Sequence, residues 1–295
     1  MSRFALETVV LAAGDIELTV LPGRGARLHR LRVDGHDLLR TPADPRSYDD
    51  EPFYWGAYVM APWCNRLAAE PVSVAARTVE LPANFRDGTA IHGQVYDRPW
   101  QQTDERRFEV SGGGAGWPWS YRVGLELQLA EGGLVIDQWL ANEDDVPMPA
   151  GLGLHPWFRR PLELAIHAQR VHRSVGATAG GPEPVAGEHD LRRLGPPAAD
   201  LDATWTDLTQ PAAELRWPTL GLYASLSGND ALTHVTAASP SEVDGTAVEP
   251  QTHAPHGLRR LLDNQPGGLE YLAPGTRLHL RTAINFSQAS GESRT

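Results

Sequence analysis

The chain alternates. DIELTVLP (15–22), LHRLRVDG (28–35), YRVGLELQLAEGG (121–133), LVIDQWLANE (134–143) and TRLHLRTAINF (276–286) each place an apolar residue at every second position. Successive side chains of a strand point to opposite faces, so this period belongs to strands with one buried face. Turn signals separate the runs. Val33-Asp34-Gly35-His36, Ser111-Gly112-Gly113-Gly114 and Glu131-Gly132-Gly133 suit short connections between antiparallel neighbours. The stretch from Tyr121 to Asn142 reads as one complete hairpin. No long segment carries the three-and-four spacing of an amphipathic helix, and neither a βαβ rhythm nor a glycine-rich nucleotide fingerprint is visible. The 24 prolines and 29 glycines fall throughout the chain, which suits many short strands joined by loops. The pattern predicts an all-β protein, a large antiparallel β-sandwich with few short helices.

No composition break divides the 295 residues, so a single β domain over 1–286 is expected, followed by a disordered tail, SQASGESRT. Residues 36–55 read as a long surface loop leading to an aromatic cluster, and 174–200, rich in glycine, proline and alanine, as another. Loops of that length in compact domains are usually functional or disordered. Glu7 and Asp15 interrupt the opening segment, which therefore reads as a first strand or two rather than a signal peptide. No apolar run approaches the roughly 18 residues that a membrane helix needs. Cys64 is the only cysteine, which rules out an intrachain disulfide and a thiolate zinc cluster. These features lead to the expectation of a cytoplasmic protein with no membrane partner. The formal net charge is -11 and no lysine is present. Phosphate backbones would repel such a chain, so no nucleic-acid partner is expected. A homodimer is compatible with the sequence, which does not otherwise speak to assembly.

Chemistry concentrates in five stretches: APWCNRLA (61–68), AIHGQVYDRPW (90–100), GLGLHPWF (151–158), LDATWTDL (201–208) and TAVEPQTHAPHG (246–257). His155 and Glu249 each precede a proline, whose ring disfavours helical backbone in the residue before it. Both are expected to be extended, at strand ends, with side chains aimed one way. A half-buried histidine bonded to a neighbour and a surface glutamate fit the same residues taken singly. His92 precedes Gly93, which permits a close approach of backbone or ligand. Asn65 and Arg66 place an amide beside a planar five-donor fork, a combination that engages polyhydroxylated ligands. Asp202 offers an acceptor-only carboxylate to a pair of hydroxyls. Trp63, Trp157 and Trp205 lie in the same stretches and could stack on the C–H faces of a sugar. His253 and His256 are separated by Pro255, and neither HExxH nor a calcium loop occurs, so no metal is expected. The absence of a G-x-S-x-G elbow argues against a serine hydrolase.

In chain order, NRLA, IHG, HPWF, LD and VEP resemble the signature stretches of the aldose 1-epimerase (galactose mutarotase-like) family. LAPGTRLHLRTAINF resembles that family's closing strand. No single motif is specific; their order and spacing carry the resemblance, from about residue 60 to 286. It implies a large antiparallel β-sandwich, an active site in a cleft on one broad face, and catalysis without a cofactor. Carried over by position, Glu249 would be the general base and His155 the general acid. His92 would assist at the ring oxygen, and Arg66 and Asp202 would hold sugar hydroxyls, with Asn65 and Trp157 completing the substrate-binding set. Interconverting α and β anomers takes a proton from the C1 hydroxyl and gives one to the ring oxygen; the C1–O5 bond breaks, the aldehyde end rotates and the ring recloses. One base and one acid suffice, expected here on opposite sides of the anomeric centre. Two other readings stand beside this one. A non-catalytic sugar-binding protein would keep Arg66, Asp202 and the aromatics. An epimerase of phosphorylated hexoses would gather arginines at the sugar's far end, for which Arg24, Arg27, Arg159 and Arg160 are available.

Overall fold

The protein is seen in a computed structural model that describes residues 7–173 and 180–288. The alternating segments are strands. Tyr121–Ala130 and Gly133–Asn142 pair from Tyr121↔Asn142 through to Ala130↔Gly133. Glu131 and Gly132 turn between them, with Gly132 at φ 73°. Asp34 and Gly35, at φ 49° and 79°, make the tight turn that follows Arg27–Val33. The link after Gly112 is longer than a tight turn, because Gly112 pairs with Tyr121 and the intervening residues bury Trp117 and Trp119. The closing strand, Arg277–Gln288, runs past the expected boundary at Phe286 because Leu222 pairs with Gln288. The rest of the expected tail, 289–295, lies outside the described residues, as does the 174–179 part of the second long loop. From residue 180 that loop carries the short strand Glu183–Pro184 and a 3-10 turn, Gly187–His189.

Among the described residues, 17 strands join in one continuous sheet. Two long strands, Glu163–Arg173 and Leu201–Trp217, belong to both halves of it. Leu201 to Thr206 pair with His234–Ser239, whereas Ala213 to Trp217 pair with Leu222–Gly228. Between these halves the register breaks: Ile166 faces Ala213, but Ala168 faces Leu208. The sheet curls there, and its two runs pack around one apolar core. Leu18, Leu28, Leu154 and Val248 enter that core from one run, and Leu125, Leu127, Leu140 and Leu280 from the other. Each fully buried side chain of this kind contributes about 1.5–3 kcal/mol. The helices are short, Ser47–Asp50 and Gly257–Leu262. The expected antiparallel sandwich is the fold, and no helix among the described residues is long and apolar enough to cross a membrane.

Three adjacent strands carry the polar face. Ala57–Met60, Gly153–Phe158 and Thr246–Gln251 are buried along their whole length. Val59, Leu154, Phe158 and Val248 point into the main core. Tyr58, Met60, Trp157 and Ala247 point the other way, into a second cluster with Phe53, Ile91 and Tyr96. Strands covered on both faces lose the apolar–polar alternation, which is why these read weakly as strands in the sequence.

Candidate active site

His155 and Glu249 meet by register. Gly153 pairs with Gln251 and Trp157 with Ala247, and the same register sets His155 opposite Glu249. Pro156 and Pro250 fall in the unpaired stretch between, and neither can donate to a ladder. The expectation that these prolines close their strands is corrected: both site residues lie within strands, Gly153–Phe158 and Thr246–Gln251. A proline excludes helical backbone but not continued extension, and the outer edges still pair, His155 with Tyr58 and Glu249 with Thr236.

The two side chains touch. His155 Nε2 lies 3.1 Å from Glu249 Oε1, and the residues are 4% and 2% exposed. Burial lifts the Glu249 carboxyl well above the usual carboxylate range; nearby Asp202 lifts it further and Arg66 opposes. Burial also lowers His155 to about 3, with Arg27 pushing the same way. Burial thus disfavours the charged form of both groups. His155 Nδ1 and Glu249 Oε2 are buried with no hydrogen-bond partner among the described residues. An unmet buried polar group costs about 1–3 kcal/mol.

His92 stands edge-on to His155, ring centroids 4.8 Å apart at 90°. Its Nδ1 accepts the backbone N–H of Asn65 at 3.3 Å, and its own N–H donates to the Asn65 carbonyl at 3.2 Å. Burial, then His155 and Arg66, hold its pKa well below the ordinary value. A neutral ring that accepts at Nδ1 carries its hydrogen on Nε2, so His92 is a fixed uncharged donor. The exchange with Asn65 requires left-handed backbone at both residues, φ 56° and 60°. Gly93 follows because a Cβ there would sit 1.9 Å from the Ala61 carbonyl oxygen. His253, which the sequence offered only as an unconvincing metal ligand, braces the same loop. Its Nε2 accepts the Cys64 N–H at 2.9 Å, while Nδ1 donates to the Ala254 carbonyl at 2.8 Å.

Arg66 projects into the cleft between two carboxylates, Nε at 2.7 Å from Asp87 and Nη1 at 3.6 Å from Asp202. Asn65, Arg66, His92, His155, Trp157, Asp202 and Glu249, the seven residues singled out in the sequence, all line one cleft of about 810 Å³ counted out to open solvent. One nitrogen or oxygen from each of His92, His155 and Glu249 lies within 4.8 Å of the others. Trp157 stacks obliquely on His155, with centroids 5.3 Å apart. Other candidates lie elsewhere. Trp63 and Trp205 belong to the main core rather than the cleft, Trp205 from the strand Leu201–Trp217 and Trp63 from the segment between Ala57–Met60 and Arg66–Leu67. Arg24, Arg27, Arg159 and Arg160 are absent from the cleft lining. His155 and Glu249 do not face each other across the cleft; they are neighbours on one sheet face.

The sequence reading missed several contributors. Phe53, Tyr54 and Phe85 form an aromatic wall, and Thr236 lies on the floor. Thr236 Oγ1 meets Thr204 Oγ1 at 2.6 Å and accepts from Gln251 Nε2 at 2.9 Å. Tyr58 stacks on His155 with centroids 4.7 Å apart and planes 22° from parallel. The aromatic run FYW at 53–55 was the one available signal; Thr236 and Tyr58 lie in short strands without a motif.

The family model described as Aldose 1-epimerase matches residues 7–175. That span includes Arg66, His92 and His155 and stops short of Asp202 and Glu249. No curated protein sequence matches the chain. A putative aldose 1-epimerase from Escherichia coli K12 shares the fold at TM-score 0.81 and 18% identity, over 96% of this chain and 100% of that one. A galactose mutarotase-like protein from Clostridium acetobutylicum superposes at TM-score 0.82 and 16% identity, over 96% of each chain. An aldose epimerase homologue from C. elegans does so at TM-score 0.82 and 16% identity, over 97% of this chain and 100% of its own. With more than half its length matched by the family model and its fold shared along nearly all of it, the chain belongs to the aldose 1-epimerase family.

Proposed function

We propose that the protein is a mutarotase, interconverting the α and β anomers of an uncharged aldose with Glu249 as base and His155 as acid. The observation that carries this reading is the 3.1 Å contact between those two buried groups in a cleft that also presents Asn65, Arg66 and Asp202 and an aromatic wall. In a pyranose, the C1 hydroxyl oxygen and the ring oxygen are bonded to the same carbon. A base and an acid that serve them must be neighbours, as these are, with the sugar lying over the pair.

The pair holds one proton. Transfer from the Glu249 carboxyl to His155 Nε2 creates carboxylate and imidazolium together, without exchange with solvent. Hydrogen bonds from the sugar stabilise the charged form that burial disfavours. Glu249 takes the C1 hydroxyl proton, His155 protonates the ring oxygen, and the C1–O5 bond breaks. Rotation about C1–C2 presents the other face of the aldehyde. Ring closure reverses both transfers and restores the pair. His92 Nε2–H donates to the ring oxygen, and Arg66 with Asp202 holds hydroxyls farther along the ring. Each positioned acid or base contributes on the order of 10²–10⁴-fold. The reading invokes no metal and no cofactor.

Charge at the cleft favours a neutral substrate. Arg66 and Arg86 are its two lining cations, and both are paired, with Asp87 and Asp202 and with Glu242. A phosphate would find no free cation among these side chains. Polarimetry of freshly dissolved α-glucose and α-galactose, with and without protein, tests the proposal. Faster decay to the equilibrium rotation is the expected result; a panel of neutral aldoses without acceleration would remove the enzymatic reading and leave sugar binding alone to be measured.

A further inference from the structure

We propose that Arg27 is a positioning residue for His155, acting through the ring of Tyr58 from behind the cleft wall. The inference rests on the acid role of His155 given above.

Arg27 opens the strand Arg27–Val33 and is 2% exposed. Among the described residues no carboxylate hydrogen-bonds it. Nη1 donates to the carbonyls of Pro52 and Trp55 at 2.9 and 3.2 Å, and Nη2 to that of Tyr96 at 3.4 Å. Its guanidinium carbon lies 4.0 Å from the Trp55 ring centroid and 4.6 Å from that of Tyr58. One face of Tyr58 is taken by His155, so the guanidinium occupies the other. The order from back to front is cation, phenol ring, imidazole, cleft. The Tyr58 hydroxyl donates to the Phe53 carbonyl at 3.1 Å, which fixes the ring in its plane.

This arrangement does two things. Two of the three carbonyls that Arg27 holds, those of Pro52 and Trp55, bracket the 52–55 segment, whose Phe53 and Tyr54 wall the cleft. The stack also places a permanent positive charge behind the imidazole. Burial lowers Arg27 only to about 10, so it stays cationic at neutral pH. An imidazolium facing that charge is a stronger acid and gives its proton more readily to the weakly basic ring oxygen. The groups facing His155 are Tyr58 on one neighbouring strand, Glu249 on the other and His92 from its loop; Tyr96, Cys64, Arg66 and Asp202 stand behind them. Tyr58 and Cys64 are held protonated by burial. Arg27 is thus the fixed cation on the Tyr58 side of the ring.

The test is the pH profile of kcat/KM for mutarotation in wild type, Arg27→Gln, Arg27→Lys and Asp97→Asn. Removing the cation lets the pair accept a second proton earlier, so Arg27→Gln should move the acid limb up by roughly half to one pH unit. Arg27→Lys should restore the wild-type limb. Asp97 raises the Arg27 pKa by its negative charge. Asp97→Asn, a change at an exposed residue, should unmask the cation and move the limb the opposite way, which keeps the idea testable if Arg27→Gln does not fold. An active wild type whose acid limb stays fixed in Arg27→Gln, or in Asp97→Asn where the former is unfolded, would overturn the inference while sparing the mutarotase reading. Inactive wild type would overturn the reading itself.

Discussion

Glu249 is a carboxyl group that folding removes from water before any substrate is there to serve. Its pKa in the fold lies well above the ordinary 4.5. The folded protein therefore holds the proton more tightly than the unfolded chain, and stability falls as pH rises above 4.5 toward the folded value. Glu249→Gln carries no such cost. It should melt at or above the wild-type temperature near pH 7 in a calorimetric scan, while mutarotation falls by at least about 10²–10⁴-fold. His155→Asn should lose activity on the same scale and remain folded by circular dichroism. If either variant keeps near-normal turnover, the corresponding role is wrong. At this scale the sequence was informative: the seven residues assigned to the site line the cleft, while Trp63 and Trp205, picked from the same stretches, do not. It could not say that His155 and Glu249 touch, because contact depends on a register between strands almost a hundred residues apart. Nor could it separate Trp157 from Trp63 and Trp205, since a tryptophan gives the same signal in a cleft as in a core.

At the level of elements, the site is built from interruptions in regular structure. Two prolines open the ladder where His155 and Glu249 meet, and two left-handed residues, Asn65 and His92, lock their loops together. Gly93 closes against Ala61 so tightly that Gly93→Ala has no room and an unfavourable φ of 76°. This substitution should lower stability by about 1–3 kcal/mol in urea titration and reduce kcat through the displaced His92. A variant with unchanged midpoint would show that the loop yields freely and that His92 is not held as described. The hairpin at 121–142 was fully legible because alternation and turn chemistry agreed. The cleft strands were not, because both their faces are covered and polar residues replace apolar ones on one of them.

For the whole molecule, the consequence is a cost in acid. Burial is the leading cause that lowers His155 and His234 to about 3 and His172 and His253 to about 4, from an ordinary 6.5. The unfolded chain takes up these protons first. Stability from the neutral imidazoles is complete above 6.5 and drains as pH falls toward 4, by at most about 1.4 kcal/mol per pH unit for each buried ring. Glu249 works in the opposite sense but is one group against several. The urea midpoint should therefore drop steeply between pH 6.5 and 4; a flat midpoint over that range would mean that these rings are charged or solvated in the fold. The overall class was readable from alternation and the lack of helical periodicity. The curl was not, since it depends on long strands shared between two pairings and on a register break that leaves no motif.

The central claim is that Glu249 and His155 together move protons at the anomeric carbon. Magnetisation-exchange NMR on the two H1 resonances of a neutral aldose reads that step directly, comparing wild type, Glu249→Gln and His155→Asn at equal concentration. Exchange between anomers should be accelerated by wild type and reduced nearly to the protein-free rate by each substitution. Equal acceleration by all three proteins, or none by wild type on any neutral aldose, would contradict it.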